Sequence, residues 1–347
     1  MSKVRAVALL SGGLDSTLAV RLLKDQGVEV KALYFYTGFC ITEYKRRLGL
    51  KKRDGQQYVN PAFRAAAQLK VPIDVIDISE EYFHVVINPK YGYGKNVNPC
   101  IDCRSLMLKK AKEIMEKEDY SFVITGEVLG QRPMSQTMNR LKLIEKEAGL
   151  EGYVVRPLSA KLLPITVPEK LGWIDREKLL DIKGRSRNRQ IKLAKEYGLE
   201  YEQPAGGCCY LTDENYAVKF REALSVDKFI TREDLFLFSV GRHLRLPSKA
   251  KLIVARNEGE AKFLKTFKNR YDHAYRKDGK GTFVLIKGDL PEEEYKLVAD
   301  IVSRYSKRES CYVTLSIKGK ELEILGEPLD ETSLDSFKIY NKERVEG

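Results

Sequence analysis

The sequence has no apolar run of membrane-spanning length, one Trp, three His and six Cys in 347 residues. The first shortage excludes a helical membrane span. Residues Val4 to Leu10 already read as a buried strand, so a soluble, cytoplasmic chain without a signal peptide is expected. Two common nucleotide-binding signatures are also missing. GxxxxGK followed by Ser or Thr does not occur, nor does a GxGxxG turn between strand and helix, which argues against Walker-type and dinucleotide binding. Acidic residues fall short of basic ones, 49 against 61, and the net charge of +12 favours polyanionic partners. Six Cys in a chain of this size and expected compartment do not make a disulfide framework and point to metal or redox chemistry. With 43% hydrophobic residues the length suits two domains.

What is present begins with Ser11-Gly12-Gly13-Leu14-Asp15-Ser16, between the apolar run Val4 to Leu10 and the helical pattern from Thr17 to Leu23. A buried strand that feeds a helix through small residues lets backbone amides approach an anion, because the first N–H groups of a helix have no internal partner. Ser11, Gly12, Gly13, Ser16 and Thr17 are therefore candidate phosphate contacts, and Asp15 is placed to hold Mg2+ or to orient a hydroxyl. An ordinary glycine turn would look the same from chemistry alone.

Strand and helix patterns then alternate: Val30 to Gly38, Ala62 to Leu69, Ile73 to Ile78, Ser105 to Lys117 and Phe122 to Ile124. That rhythm predicts βαβ units and a parallel sheet, with a crevice beyond the carboxyl ends of the strands where Ser11, Tyr36, Cys100 and Thr125 converge. Lys45-Arg46-Arg47 and Lys51-Lys52-Arg53 read as a solvated face or a nucleic-acid contact. Arg176 to Lys195 holds eight Lys or Arg against two acids, with apolar residues at packing positions, and Arg185 and Arg187 are its candidate RNA contacts.

Pro99-Cys100-Ile101-Asp102-Cys103 and Gly206-Gly207-Cys208-Cys209 bring thiols from distant loops. A CxxC plus a third thiol can cradle a metal. Spacing leaves three options open: zinc, with Cys209 or a His as fourth ligand; a 4Fe-4S cluster with one open iron; and persulfide chemistry without metal.

The string Ser11 to Ser16 resembles the PP-loop of the ATP pyrophosphatase superfamily, whose members split ATP between the α and β phosphates and adenylate a substrate. Thr125-Gly126-Glu127-Val128-Leu129-Gly130-Gln131 with Ser135-Gln136, and Arg156-Pro157-Leu158, are similar to motifs of tRNA 4-thiouridine synthases. Asn98 to Cys103 resembles the active-site approach of tRNA 2-thiouridylases, with Cys103 on the catalytic cysteine and Cys100 where many of them carry Asp. Together these look like iron–sulfur-dependent tRNA thiolation enzymes. The resemblance implies ATP bound by the loop with Tyr36, Thr125 and Gly126 beside it, Mg2+, and a 4Fe-4S cluster on Cys100, Cys103 and Cys208. Asp15 and those cysteines carry the chemistry, with Cys209 in reserve, and Arg156 and Lys161 neutralise phosphate. Sulfide or sulfur derived from a cysteine desulfurase is the implied donor.

Further on, Gly241-Arg242-His243-Leu244-Arg245 and Val254-Ala255-Arg256-Asn257-Glu258 resemble the RNA-binding module of NFACT-type ribosome quality-control proteins. Ser239 to Arg256 contains five Lys or Arg and no acid. Arg242, His243, Arg245 and Arg256 are the implied RNA contacts. The expected fold class is α/β: an open parallel-sheet PP-loop (adenine nucleotide α-hydrolase-like) domain over 1–215, a helical linker over 216–234, and a smaller α/β RNA-binding domain over 235–347. The expectation is ATP-dependent thiolation of a tRNA base through the cluster. The alternatives are a cysteine-persulfide route without a cluster and a non-enzymatic RNA-binding quality-control factor, and a homodimer is left open.

Overall fold

The structure, a computed structural model, describes residues 3–47, 49, 55, 57–201, 209–227, 229–306 and 309–340. It divides into two compact units, Met1–Glu43 with Tyr58–Cys209 and Tyr44–Gln57 with Tyr210–Gly347. Among the described residues no helix is long and apolar enough to cross a membrane. Lys51-Lys52-Arg53 and Gly206-Gly207-Cys208 lie outside the described residues.

The first unit is built on a five-stranded parallel sheet: β1 (Arg5–Leu9), β2 (Glu29–Tyr36), β3 (Ile73–Asp77), β4 (Phe122–Ile124) and β5 (Val154–Val155), in the order β3-β2-β1-β4-β5. Alternate residues of β1 serve opposite cores, as the period of two requires. Ala6 and Ala8 join Leu18, Leu22, Ala65 and Leu69 on one face, while Val7 and Leu9 join Ile101, Leu108, Ala111 and Ile144 on the other. Helices therefore cover both faces, which is why the strands read as nearly continuous apolar runs. The direction of strand addition reverses at β1 and β4, and the crevice beyond their carboxyl ends is where such a sheet takes ligands.

Two sequence expectations change here. The helix expected from Ser105 starts at Cys100 and runs to Lys117, with Pro99 as its N-cap, so Cys100 and Cys103 share one face of its first turn. The basic stretch 176–195 is not one helical surface: only Arg176–Lys178 and Asn188–Glu196 are helical. Gly184 at φ 83° interrupts the stretch, and the amides of Leu180 and Ile182 donate to the carbonyls of Pro157 and Leu158 instead.

The second unit holds a six-stranded sheet of β6 (Arg242–Arg245), β7 (Lys251–Val254), β8 (Asp272–Arg276), β9 (Phe283–Lys287), β10 (Cys311–Ile317) and β11 (Lys320–Gly326). The order is β11-β10-β8-β9-β7-β6 and every pairing is antiparallel. Lys318 and Gly319, both at positive φ, make the tight turn between β10 and β11. Leu252, Val284, Val313 and Leu315 pack with Val298, Ile301 and Val302 of the helix Tyr295–Tyr305. Ile253 and Leu285, on the opposite face, pack with Ala261 and Leu264 of the helix Glu258–Lys265. Residues 216–234, expected to be a linker, lie mostly in the helices Glu214–Val226 and Arg232–Leu237, whose N-termini are capped by Asp213 and Thr231.

Candidate active site

The loop after β1 leads directly into the helix Leu14–Lys24, whose N-cap is Gly13 in extended conformation with no side-chain cap. The Oγ1 of Thr17 and the Oγ of Ser16 both donate to the Gly13 carbonyl, at 2.9 and 3.1 Å. These bonds fix the turn and leave the first-turn amides for an anion. Thr17 is buried, so its expected contact with nucleotide gives way to a structural one. Ser11 is exposed at the mouth, its Oγ 3.2 Å from that of Ser16. Gly12, at φ 75°, has no room for a side chain: an added Cβ would stand 2.1 Å from the Pro61 carbonyl carbon.

The loop after β4 closes against this turn. A Cβ on Gly126 would stand 2.4 Å from the Ser16 nitrogen, so the two backbones are in direct contact. Gln131 donates its Nε2 to Asp15 Oδ2 at 2.8 Å, and Arg187 pairs with the same oxygen at 3.8 Å. Asp15 Oδ1 is buried with no hydrogen-bond partner. An orphaned carboxylate oxygen beside open helix amides fits the Mg2+ of a bound nucleotide, as expected of Asp15. Thr125 is turned inward, its hydroxyl donating to Glu127 at 3.2 Å, and Tyr36 ends β2 at the same edge of the sheet.

Arg156 is corrected outright. It is 3% exposed, its Nε donates to Glu127 at 3.0 Å and its other arm pairs with Glu145. Burial alone would raise the Glu127 carboxyl, but Arg156 and then Arg104 overcome it and hold it below the ordinary range. Such a buried pair ties the β4 and β5 loops together and cannot reach RNA phosphate. Lys161 is exposed but paired with Glu177 at 3.0 Å, and Arg185 is exposed. Arg187, expected on RNA, faces the PP-loop aspartate.

The thiols gather on the other side of the crevice. Cys100 and Cys103 are half-buried at the start of their helix, and Asp102 between them accepts the amides of Lys90 and Tyr91, both at 3.1 Å, to pin the preceding glycine-rich loop. Burial pushes both thiols up, with Arg104 pulling each down in part, so both rest protonated at neutral pH. Tyr82 is wholly buried, and the groups acting on its hydroxyl are Cys103, Cys209 and Cys100. It makes no hydrogen bond of good geometry, yet it lies close enough to Cys103 to lower that thiol. Cys209 pairs with Cys40 across an isolated antiparallel bridge, a placement that spacing gave no hint of for Cys40. Among the described residues no three His, Cys, Asp or Glu come together in a way that could hold a metal ion. Of the three cysteines expected to hold a cluster, Cys100 and Cys103 are described and Cys208 lies outside the described residues.

Sequence reasoning missed Arg104, Arg132, Gln131 and Tyr82. Arg132 directly follows the quoted motif ending at Gln131, so the signal was one residue away. For Tyr82 there was none.

Within the second unit the expected RNA contacts separate. Arg242 is exposed, its guanidinium 5.0 Å from the Tyr305 ring centre. His243 is corrected: it is 2% exposed, and its Nε2 donates to the Leu237 and Val240 carbonyls at 3.1 and 3.0 Å. Burial first, then Lys219 and Lys251, hold its pKa well below the ordinary value, so it is a neutral interior histidine. Arg245 is largely spent on Glu222 at 2.6 Å and Asp227 at 2.9 Å. Arg256 pairs with Glu260 but keeps nearly half of its side chain exposed.

Comparison with known proteins follows the same division. Residues 1–161 match the family described as thiamine biosynthesis protein (ThiI), and residues 241–338 match the NFACT protein RNA binding domain. The chain joins a ThiI-like segment to an NFACT-type RNA-binding segment. Among curated relatives, the tRNA-specific 2-thiouridylase MnmA of Geotalea uraniireducens is 27% identical over 232 residues, 63% of this chain and 56% of that protein. MnmA of Cytophaga hutchinsonii is 33% identical over 135 residues, 36% of this chain and 34% of that protein. The chain thus spans about half, or less, of the length of these relatives. A 4-thiouridine synthetase solved in complex with RNA and ATP aligns over 56% of this chain and 41% of its own at 21% identity, with a TM-score of 0.36.

Proposed function

We propose that this protein is an ATP-dependent tRNA sulfurtransferase that carries sulfur as a cysteine persulfide. The observation that carries the reading is the joining, at one edge of one parallel sheet, of an uncapped helix N-terminus, an aspartate with an orphaned oxygen, and a half-buried pair of thiols. The matches to ThiI and to the NFACT RNA-binding domain, and the similarity to 2-thiouridylases, support tRNA as the substrate.

In this reading MgATP lies along the loop Ser11 to Ser16. A base carbonyl oxygen attacks the α-phosphorus, pyrophosphate leaves, and the base is adenylated at oxygen. The terminal sulfur of a persulfide on Cys103 adds to the activated ring carbon and AMP departs with the original oxygen. A second thiol attacks the inner sulfur, leaving one sulfur on the base and a protein disulfide that an external thiol reduces. Cys208 is the second thiol suggested by sequence, and Cys209 is the described one near Cys103. Adenylation is required because oxide is a poor leaving group and AMP a good one. Two described thiols suffice for this route, whereas a three-cysteine cluster needs a ligand the described residues do not supply.

The test is thiolation of tRNA by iron-depleted protein given ATP and a persulfide donor, read by nucleoside mass spectrometry together with iron content. Thionucleoside formation without iron, abolished in Cys103→Ala, is expected. Activity that requires about four irons per chain would instead establish the cluster route, and tRNA binding with neither pyrophosphate release nor thiolation would leave an RNA-binding factor.

A further inference from the structure

The turn that follows Gln131 bridges the two halves of the site. At one end Gln131 is bonded to Asp15 of the PP-loop. At the other, Met134 lies beside the position of Gly94 (3.5 Å from a Cβ built there), and that same position is 3.1 Å from Cys100 Sγ. Arg132 is the cation between these ends. Its carbonyl accepts the amides of Ser135 and Gln136, at 3.3 and 2.8 Å, and Gly130 donates to the Gln136 carbonyl at 2.7 Å, so the turn is closed and its backbone held.

Two more guanidinium groups approach the same place. Arg187 reaches Asp15 only at 3.8 Å and Arg104 reaches Glu127 only at 3.9 Å, both beyond a charge-assisted hydrogen bond. Among the described residues Arg132 makes no ion pair, and part of its surface stays open to solvent although its guanidinium is partly desolvated. Loss of water around the guanidinium, then the like charges of Arg104 and Arg187, draw Arg132 below its ordinary value, with Cys100 and Asp15 acting the other way. Like charges that act on one another, two of them in long ion pairs and the third without one among the described residues, are stabilised by an anion placed among them.

We propose that Arg132, flanked by Arg104 and Arg187, binds the α-phosphoryl group of the nucleotide and of the adenylated base, at the point where the phosphate loop meets the thiols. The inference rests on the sulfurtransferase reading for its place in catalysis, but not for the anion it binds. The loop amides would face the β and γ phosphates, which leave as pyrophosphate, and Asp15 would hold the accompanying Mg2+. The arginines keep the group that stays, and neutralise it again when AMP departs. Arg156, expected from sequence to meet phosphate, is buried elsewhere, so the site draws this charge from a different segment.

The experiment compares AMP with adenosine as ligands of wild type, Arg132→Gln and Arg132→Lys by calorimetry, with melting as the fold control. A hydrogen bond to a charged group contributes about 1.5–3 kcal/mol, so Arg132→Gln should weaken AMP about 10–100-fold and leave adenosine unchanged. Arg132→Lys should recover part of the AMP affinity. Equal AMP affinity in wild type and Arg132→Gln, with normal melting, refutes the site whatever the enzyme does. Pyrophosphate release with tRNA is then read separately. Release by wild type with a slower Arg132→Gln at saturating ATP supports the catalytic role. Absence of release by wild type, while AMP still discriminates the variants, overturns that role and the sulfurtransferase reading but keeps the phosphate site.

Discussion

Gly126→Ala adds one methyl group where two backbones already touch. The new Cβ would stand 2.4 Å from Ser16 N, 2.5 Å from Ser16 Cα and 2.6 Å from the Asp15 carbonyl carbon. Ordinary contact begins at 3.4 Å, so the loop after β4 and the first turn of the helix Leu14–Lys24 must separate by about 1 Å. Neither side yields cheaply. The helix is locked by Leu18 and Leu23, both fully buried, and Gly126 follows a strand whose three residues are fully buried too. Overpacking of this kind costs about 1–3 kcal/mol. At about 2–4 °C per kcal/mol for a unit of this size, melting should fall by roughly 2–12 °C. The displaced atoms are those that would carry Asp15 and the amide of Ser16 to the phosphates, and a misplacement of about 1 Å costs on the order of 100-fold in rate. Calorimetry with MgATP and thermal melting are the assays. Gly13→Ala is the control: its Cβ meets only Ser11 Oγ, at 3.5 Å, and its φ of −79° suits alanine, so melting should hold even if nucleotide affinity falls. Wild-type melting and ATP affinity in Gly126→Ala would show that the two loops do not touch in this way.

In the second unit, Lys219 donates to the carbonyls of Phe238 and Gly241 in the interior, and burial draws its pKa down from 10.5 to about 7. The unfolded chain therefore binds the extra proton between those values, and stability should rise with pH across that window by several kcal/mol, at about 1.4 kcal/mol per pH unit; urea titrations from pH 7 to 10 should show this slope, and Lys219→Met should reduce it to the part left by Lys287, drawn down to about 8, and Lys251. Arg242→Gln should weaken tRNA binding and reduce its salt dependence with unchanged melting, whereas Arg245→Gln should lower melting because it leaves Glu222 and Asp227 to Lys251 alone. Equal effects of the two on binding would reject that division. Cys40 and Cys209 face each other across an antiparallel bridge, where Cα atoms stand about 4.5–5.5 Å apart, a span a disulfide can close. Treatment with diamide should give a Cys40–Cys209 crosslinked peptide under non-reducing mass spectrometry, and Cys311, buried in the other unit, should stay unmodified.

The sequence by itself determined the centre of the parallel sheet, because β1 and β4 are short, mostly apolar runs ending in a turn, and such runs bury both faces. It also located the PP-loop, since the small residues of Ser11 to Ser16 are needed wherever a backbone meets an anion, and the place of the cysteine pair. Tertiary structure alone decided what the charged residues do. Arg156 and His243 stood in basic surroundings and looked like RNA contacts, yet one is paired with Glu127 and Glu145, and the other is kept neutral by burial with its ring bonded to two backbone carbonyls. The acceptors of Arg156 are 29 and 11 residues away, and although those of His243 are only 6 and 3 residues away, its burial depends on the elements packed around it. Arg132 ran the opposite way. Its neighbours along the chain mark only the end of a motif, and its significance comes from Arg104 and Arg187, brought within its field by folding. A local pattern specifies backbone conformation because propensity and periodicity act over a few residues; the partner of a charge is a long-range property, and it exists only in the folded chain.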